Sequence, residues 1–117
     1  MTIAIKRIYD PAEPADGYRA LVDGMWPRGV SKEKAAVDGW YRELAPSREL
    51  RRWFGHDPAR WREFRQRYFG ELAAAEPESL ETLRRHARES GLTLVFAARD
   101  REHNNAVALR DYLEGRR

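Results

Sequence analysis

The chain contains no cysteine, which removes disulfides, thiol nucleophiles and thiolate metal sites at once. Lysine is scarce too: Lys6, Lys32 and Lys34 are the only three among 22 basic residues, so the positive charge is almost all arginine. With many alanines beside it, that bias reads first as GC-rich coding and only second as a phosphate-binding surface. Against 19 acidic residues the net charge is +3, too mild to require a nucleic-acid partner. No apolar run approaches the roughly 20 residues of a membrane span, and the start of the chain lacks the charged-then-apolar pattern of a secretory leader. Repeats, low-complexity tracts and linkers are also missing. A cytoplasmic protein with no membrane partner is expected.

What is present fits one domain: 117 residues bury a real core but do not divide into two. Isoleucines at 3, 5 and 8 make a strand with one buried face. The loop "DPAEPADG" separates it from a second strand, "YRALVD". That loop is shorter than the dozen or so residues of an ordinary crossover, so the two strands are expected to be antiparallel neighbours or not adjacent at all. Residues 31–46 read as a helical turn and then a short strand, with Gly39 weakening any single long helix. Ser47 caps a short helix that Gly55 ends, and Asp57 with Pro58 starts the next. Trp61, Phe64, Tyr68 and Leu72 form its buried stripe, which leaves Arg65 outside, where truncation to alanine costs only about 0.5 kcal/mol. A further helix carries Leu80, Leu83 and Ala87; "LTLVFAA" is a central strand, and "AVALRDYLEG" is a last helix with Leu109, Tyr112 and Leu113 inward. The fold class is α/β, a short and mostly parallel sheet flanked by helices.

If the second strand and the Leu92–Ala98 strand are parallel, their carboxyl ends share the edge where open α/β sheets bind ligands. One end delivers Asp23, Trp26 and Arg28; the other delivers Arg99, Asp100, His103 and Asn104 just before a helix start that suits an anion. Arg28 offers a planar fork of donors and Trp26 a flat wall. Arg28 and His103 are therefore expected at one cavity, a site for a phosphate or carboxylate. Asp23, Trp26, Arg28 and Asn104 are the ligand-binding candidates. His103, His56 and Asp100 are the candidates for acid–base chemistry if the protein is an enzyme, a point the residues leave open.

Each candidate has a structural counterpart. Trp26 serves equally as a core plug, Asp23 as a turn cap, and Arg28 as a bridge to Asp23 or Asp100. Asp100 and His103, three apart, make a helix cap as readily as a proton-transfer pair. His56, His103 and Asp23 are a conceivable N,N,O metal set, but no H-E-x-x-H spacing accompanies them, so neither metal nor cofactor is assigned.

A nucleic-acid-binding or transcription-regulatory accessory domain is the alternative. Helix 47–54 followed by the arginine-rich helix from 58 has a helix-turn-helix outline. However, Arg60, Arg62, Arg65 and Arg67 scatter around the helix, with Glu63 among them, instead of forming one basic stripe.

Together, "LVDGMWPRGVSK", "LAPSRELRRWFGHDPARWREF" and "FAARDREHNNAVAL" resemble the domain-of-unknown-function family 488, YeaO-like branch, over nearly the whole chain. The matching positions are Asp23 and Trp26 to Gly29, His56 to Pro58, and Asp100, His103 and Asn104. The resemblance implies a small α/β domain and brings no established activity, cofactor or catalytic residue. Many relatives resemble Asp-Arg-Leu-Trp-Pro-Arg-Gly at the strand end, whereas this chain has Gly24 in place of the first arginine, leaving Arg28 alone for an anion. Other branches carry cysteines near the last strand, where Ala97 and Ala98 stand here.

Overall fold

Four short apolar segments pair into a single sheet in the computed structural model, which describes residues 3–116. They are β1 (Ile3–Arg7), β2 (Tyr18–Leu21), β3 (Gly39–Trp40) and β4 (Leu92–Phe96), in the order β1-β4-β2-β3, and every pairing is parallel. β4 is buried along its whole length, as a central strand with both faces covered should be. It pairs from Ile3↔Leu92 to Arg7↔Phe96 on one side and from Tyr18↔Leu92 to Leu21↔Val95 on the other. β1 and β2 are accordingly not neighbours, because β4 lies between them.

The short connection between β1 and β2 works without a crossover helix. Segment 8–17 carries a single 3-10 turn, Pro14–Asp16, and is anchored by charge. Asp16 Oδ2 meets Arg19 Nη1 at 2.7 Å, and Asp16 Oδ1 meets Lys6 Nζ at 3.0 Å. Burial pushes the Asp16 carboxyl up, but the Glu13 N–H, Lys6 and Arg19 hydrogen bonds prevail and hold it below its ordinary value. Arg19, only 4% exposed, also donates to the Ala35 and Ala36 carbonyls, which seats the following helix.

Among the described residues five α-helices cover the sheet: α1 (Lys32–Ala35), α2 (Arg48–Phe54), α3 (Trp61–Ala73), α4 (Pro77–Glu89) and α5 (Asn105–Leu113). Their ends follow local chemistry. Ser47 Oγ accepts from Leu50 N at 3.1 Å, and Gly55 closes α2 at φ 55°. Asp57 caps a 3-10 turn, Pro58–Arg60, that leads into α3. Phe64, Tyr68 and Leu72 of α3 are fully buried, while Trp61 is half-buried. With Leu50, Phe54, Leu80, Leu83, Leu109 and Leu113 they pack on Ala20, Val22, Leu92, Leu94 and Phe96. The opposite face has a smaller cluster, Ile8, Ala35 and Val95, with Trp26, Val30, Val37 and Ala97 against it. No helix among the described residues is long and apolar enough to cross a membrane.

Candidate functional site

Because the strands are parallel, the carboxyl ends of β2 and β4 open on one edge, and a cavity of about 340 Å³ lies there. Its floor comes from the residues that leave those strands: Asp23, Gly24 and Met25 after β2, Ala97 and Ala98 after β4. Its walls are Pro46, Arg51 and Phe54 with His56 beyond them, Phe64 of α3, and Asn104 and Asn105 at the start of α5. Arg7 holds the β4 side in place by donating to Ala98 O at 2.9 Å and Ala97 O at 3.1 Å.

Asp23 bridges the elements that meet at the floor. Its Oδ2 accepts from Ala97 N at 2.9 Å and its Oδ1 from Asn105 Nδ2 at 3.2 Å, while Asn105 Nδ2 also donates to Val22 O at 2.9 Å. Burial raises the Asp23 carboxyl above its ordinary value, against the pull of those hydrogen bonds and of the Arg51 and His56 charges.

Arg51, an exposed residue of α2, lines the same cavity as this carboxylate and lies beside Gly24. A Cβ placed on Gly24 would stand 3.2 Å from Arg51 Nη1, so the guanidinium lies close against the backbone at 24. No carboxylate among the described residues lies within 4.0 Å of it, Asp23 included. His56 follows Gly55 in a second left-handed conformation, φ 56°, at a cost of about 1–2 kcal/mol for a residue with a Cβ.

Of the residues expected here, Asp23, His56 and Asn104 line the cavity, whereas Trp26, Arg28, Asp100 and His103 do not. Trp26 crosses to the other face of the sheet, packs edge-on to Trp40 at 5.5 Å, and donates its Nε1 hydrogen to Val30 O at 2.7 Å. Pro27 is buried beneath the corner, Gly29 completes the turn at φ 73°, and the Arg28 side chain is exposed. Arg28 and His103 therefore do not meet at the cavity. The reason is the bend at 23–29, which leads the chain over the edge after Asp23 and so changes the face.

The Asp100–His103 segment is a hydrogen-bonded bend that precedes α5, whose N-cap is Asn104. Asp100 Oδ1 accepts from Glu102 N at 2.9 Å and His103 N at 3.0 Å, and Oδ2 lies 3.0 Å from His103 Nδ1. The Glu102 and His103 amides foremost hold the Asp100 carboxyl below its ordinary value. The His103 ring stands edge-on to Trp61 at 5.5 Å. Asn104, though it borders the cavity, has both amide atoms engaged: Oδ1 accepts from Val107 N at 3.0 Å and Nδ2 donates to Asp100 O at 2.8 Å. His56, His103 and Asp23 do not assemble, and no metal-binding cluster exists among the described residues.

Sequence reasoning overlooked Arg51 and Asn105. Arg51 sits three residues before the buried Phe54, a spacing that puts both on one side of α2, and this was the available signal. Three arginines at or near α3 are engaged within the protein. Arg67 pairs with Glu63 and stacks on Trp53, Arg60 donates to Trp53 O, and Arg65 Nε meets Asp111 Oδ2 at 3.1 Å.

Comparison with known proteins shows the family of the chain. The family profile described as "Inactive DUF488-N3 subclade" matches residues 2–117. The chain is 44% identical over 113 residues to the uncharacterised protein YeaO of Escherichia coli K12, covering 97% of each. It is 39% identical over 114 residues to an uncharacterised protein of Mycobacterium tuberculosis H37Rv, covering 97% of this chain and 95% of the other. No solved structure matches. The resemblance carried by the three sequence motifs thus extends over the whole chain, which belongs to the inactive DUF488-N3 subclade.

Proposed function

We propose that the protein is a cytoplasmic small-anion binder, taking a carboxylate or phosphate group at the carboxyl ends of β2 and β4. The observation that carries this reading is the Arg51 guanidinium, seated over Gly24 in the wall of the cavity with no carboxylate within 4.0 Å among the described residues. A planar guanidinium without a protein partner is suited to a planar oxyanion, and each charge-assisted hydrogen bond it forms contributes about 1.5–3 kcal/mol. His56 adds a second donor on the same rim. The description of the subclade as inactive favours binding without turnover.

The test is a thermal-shift and calorimetric series with acetate, butyrate and orthophosphate on wild type, Arg51→Gln and Arg28→Gln. Arg51→Gln is expected to weaken binding by about 1–3 kcal/mol, and Arg28→Gln to leave it unchanged. If none of the anions binds wild type, the reading is wrong.

A further inference from the structure

The cavity holds charges of both signs that do not neutralise each other. Arg51 and His56 line one wall, Asp23 lies on the floor, and no Asp23 oxygen comes within 4.0 Å of Arg51 or His56. The remainder of the lining includes apolar groups: Phe54 and Phe64, stacked at 4.3 Å, and the Ala97–Ala98 segment. Asp23 receives one hydrogen bond on each oxygen, which leaves each with further accepting capacity. A simple anion in this cavity would satisfy Arg51 and sit near an unneutralised carboxylate. A ligand with an anionic group at one end and an N–H donor at the other would satisfy both.

We propose that the ligand is a small dipolar molecule of the amino-carboxylate class, its carboxylate on Arg51 and its ammonium on Asp23, two groups that line the same cavity without pairing. This deepens the anion-binding reading and rests on it. About 340 Å³ accommodates a molecule of that size with room to spare. The charged and titratable groups that bear on Asp23 are Arg51 of α2, His56 after it, and Tyr68 of α3. The Tyr68 hydroxyl is engaged with Leu44 O at 2.6 Å, so only Arg51 and His56 remain to meet an anion.

The experiment compares matched pairs by calorimetry at mildly alkaline pH, chosen to favour the ionised Asp23 carboxylate. The amino carboxylates are glycine, β-alanine and γ-aminobutyrate, and the partners are acetate, propionate and butyrate, with butylamine as the cation alone. At least one amino carboxylate is expected to bind about 10- to 100-fold more tightly than its partner, the effect of one hydrogen bond to a charged group. Asp23→Asn should abolish that ratio while keeping the monocarboxylate affinity, and Arg51→Gln should lower both members of the pair. Should Asp23→Asn fold poorly, wild type supplies the same information: trimethylglycine, which has no N–H donor, should lose most of glycine's advantage over acetate. Monocarboxylates that bind through Arg51 with no gain from the amino group would overturn the dipolar ligand and leave anion binding standing. No binding by any compound would overturn both.

Discussion

Asp23 Oδ2 accepts the backbone hydrogen of Ala97 at 2.9 Å, tying together the ends of two parallel strands that are neighbours in the sheet. The same carboxylate receives the Asn105 amide at 3.2 Å and so joins both strands to the start of α5. Removing it leaves two donors without their partner. Asp23→Ala is expected to destabilise by about 1–3 kcal/mol in a denaturant titration, even with no ligand present.

Asp23 and Asp10 should influence acid stability with opposite signs. Burial raises the Asp23 pKa above 3.8, so the native state holds this proton more tightly than the unfolded chain. Its favourable contribution is complete below 3.8 and disappears as pH rises through the native value. Asp10, hydrogen-bonded to Arg101 at 2.8 Å, is lowered to about 2. Its contribution is present above 3.8 and disappears as pH falls toward 2. Against wild type, Asp23→Asn should therefore gain relative stability as pH rises from the acid side, and Asp10→Asn should gain as pH falls. Parallel curves for wild type and both variants would contradict the assignment.

Gly17 is the position least tolerant of a side chain. Its φ is 64°, and a Cβ there would lie 2.5 Å from Gly91 O and 2.6 Å from Ser90 O, both backbone atoms. Gly17→Ala combines strain with a clash that no rotamer relieves, for an expected loss of about 3 kcal/mol or more. Gly70 in α3 has nothing within 4 Å of the corresponding point, so Gly70→Ala should stabilise by about 0.5–1 kcal/mol. Thermal unfolding of the two variants reads both signs.

Arg65 is a partly buried partner, where the sequence suggested a solvated surface residue. It pairs with Asp111 at 3.1 Å with side chains only 18% and 14% exposed, and stacks over Phe69 at 4.6 Å. Arg65→Ala should cost about 1–3 kcal/mol, because Asp111 is left partly buried without its nearest cation. Arg67, paired with Glu63 where both are about half exposed, should cost less than about 1 kcal/mol. A double-mutant cycle on Arg65 and Asp111 separates their coupling from the loss of packing.

Asn104 borders the cavity but is expected to act through the fold. Its carbonyl caps α5 and its amide holds Asp100 O, so Asn104→Ala should cost about 1–2 kcal/mol, whereas Asn104→Asp keeps the cap and should recover part of the loss. Equal unfolding midpoints for wild type and Asn104→Ala would refute the capping role.

Much of the fold was legible because its signals are local. Ser47, Gly55, Asp57 and Pro58 mark helix ends through hydrogen bonds and dihedral limits that span a few residues. The unbroken apolar run at Leu92–Phe96 announced the central strand, and its parallel pairing with β2 brought Asp23 and Asn104 toward one edge. The sequence by itself therefore determined the main elements, several of their caps and the edge at which the cavity opens. Tertiary structure alone decided which side chains reach it. Whether Trp26 and Arg28 stay on the helical face or cross over the edge depends on how the bend packs against Ile8, Ala35 and Val95, residues distant in the chain. Arg51 reaches the cavity because tertiary packing sets α2 beside Gly24, a residue 27 positions earlier in the chain. Capping and periodicity act over one or two helical turns, but the face of a sheet that a loop covers is set by packing between segments far apart in sequence, and no short-range rule encodes that choice.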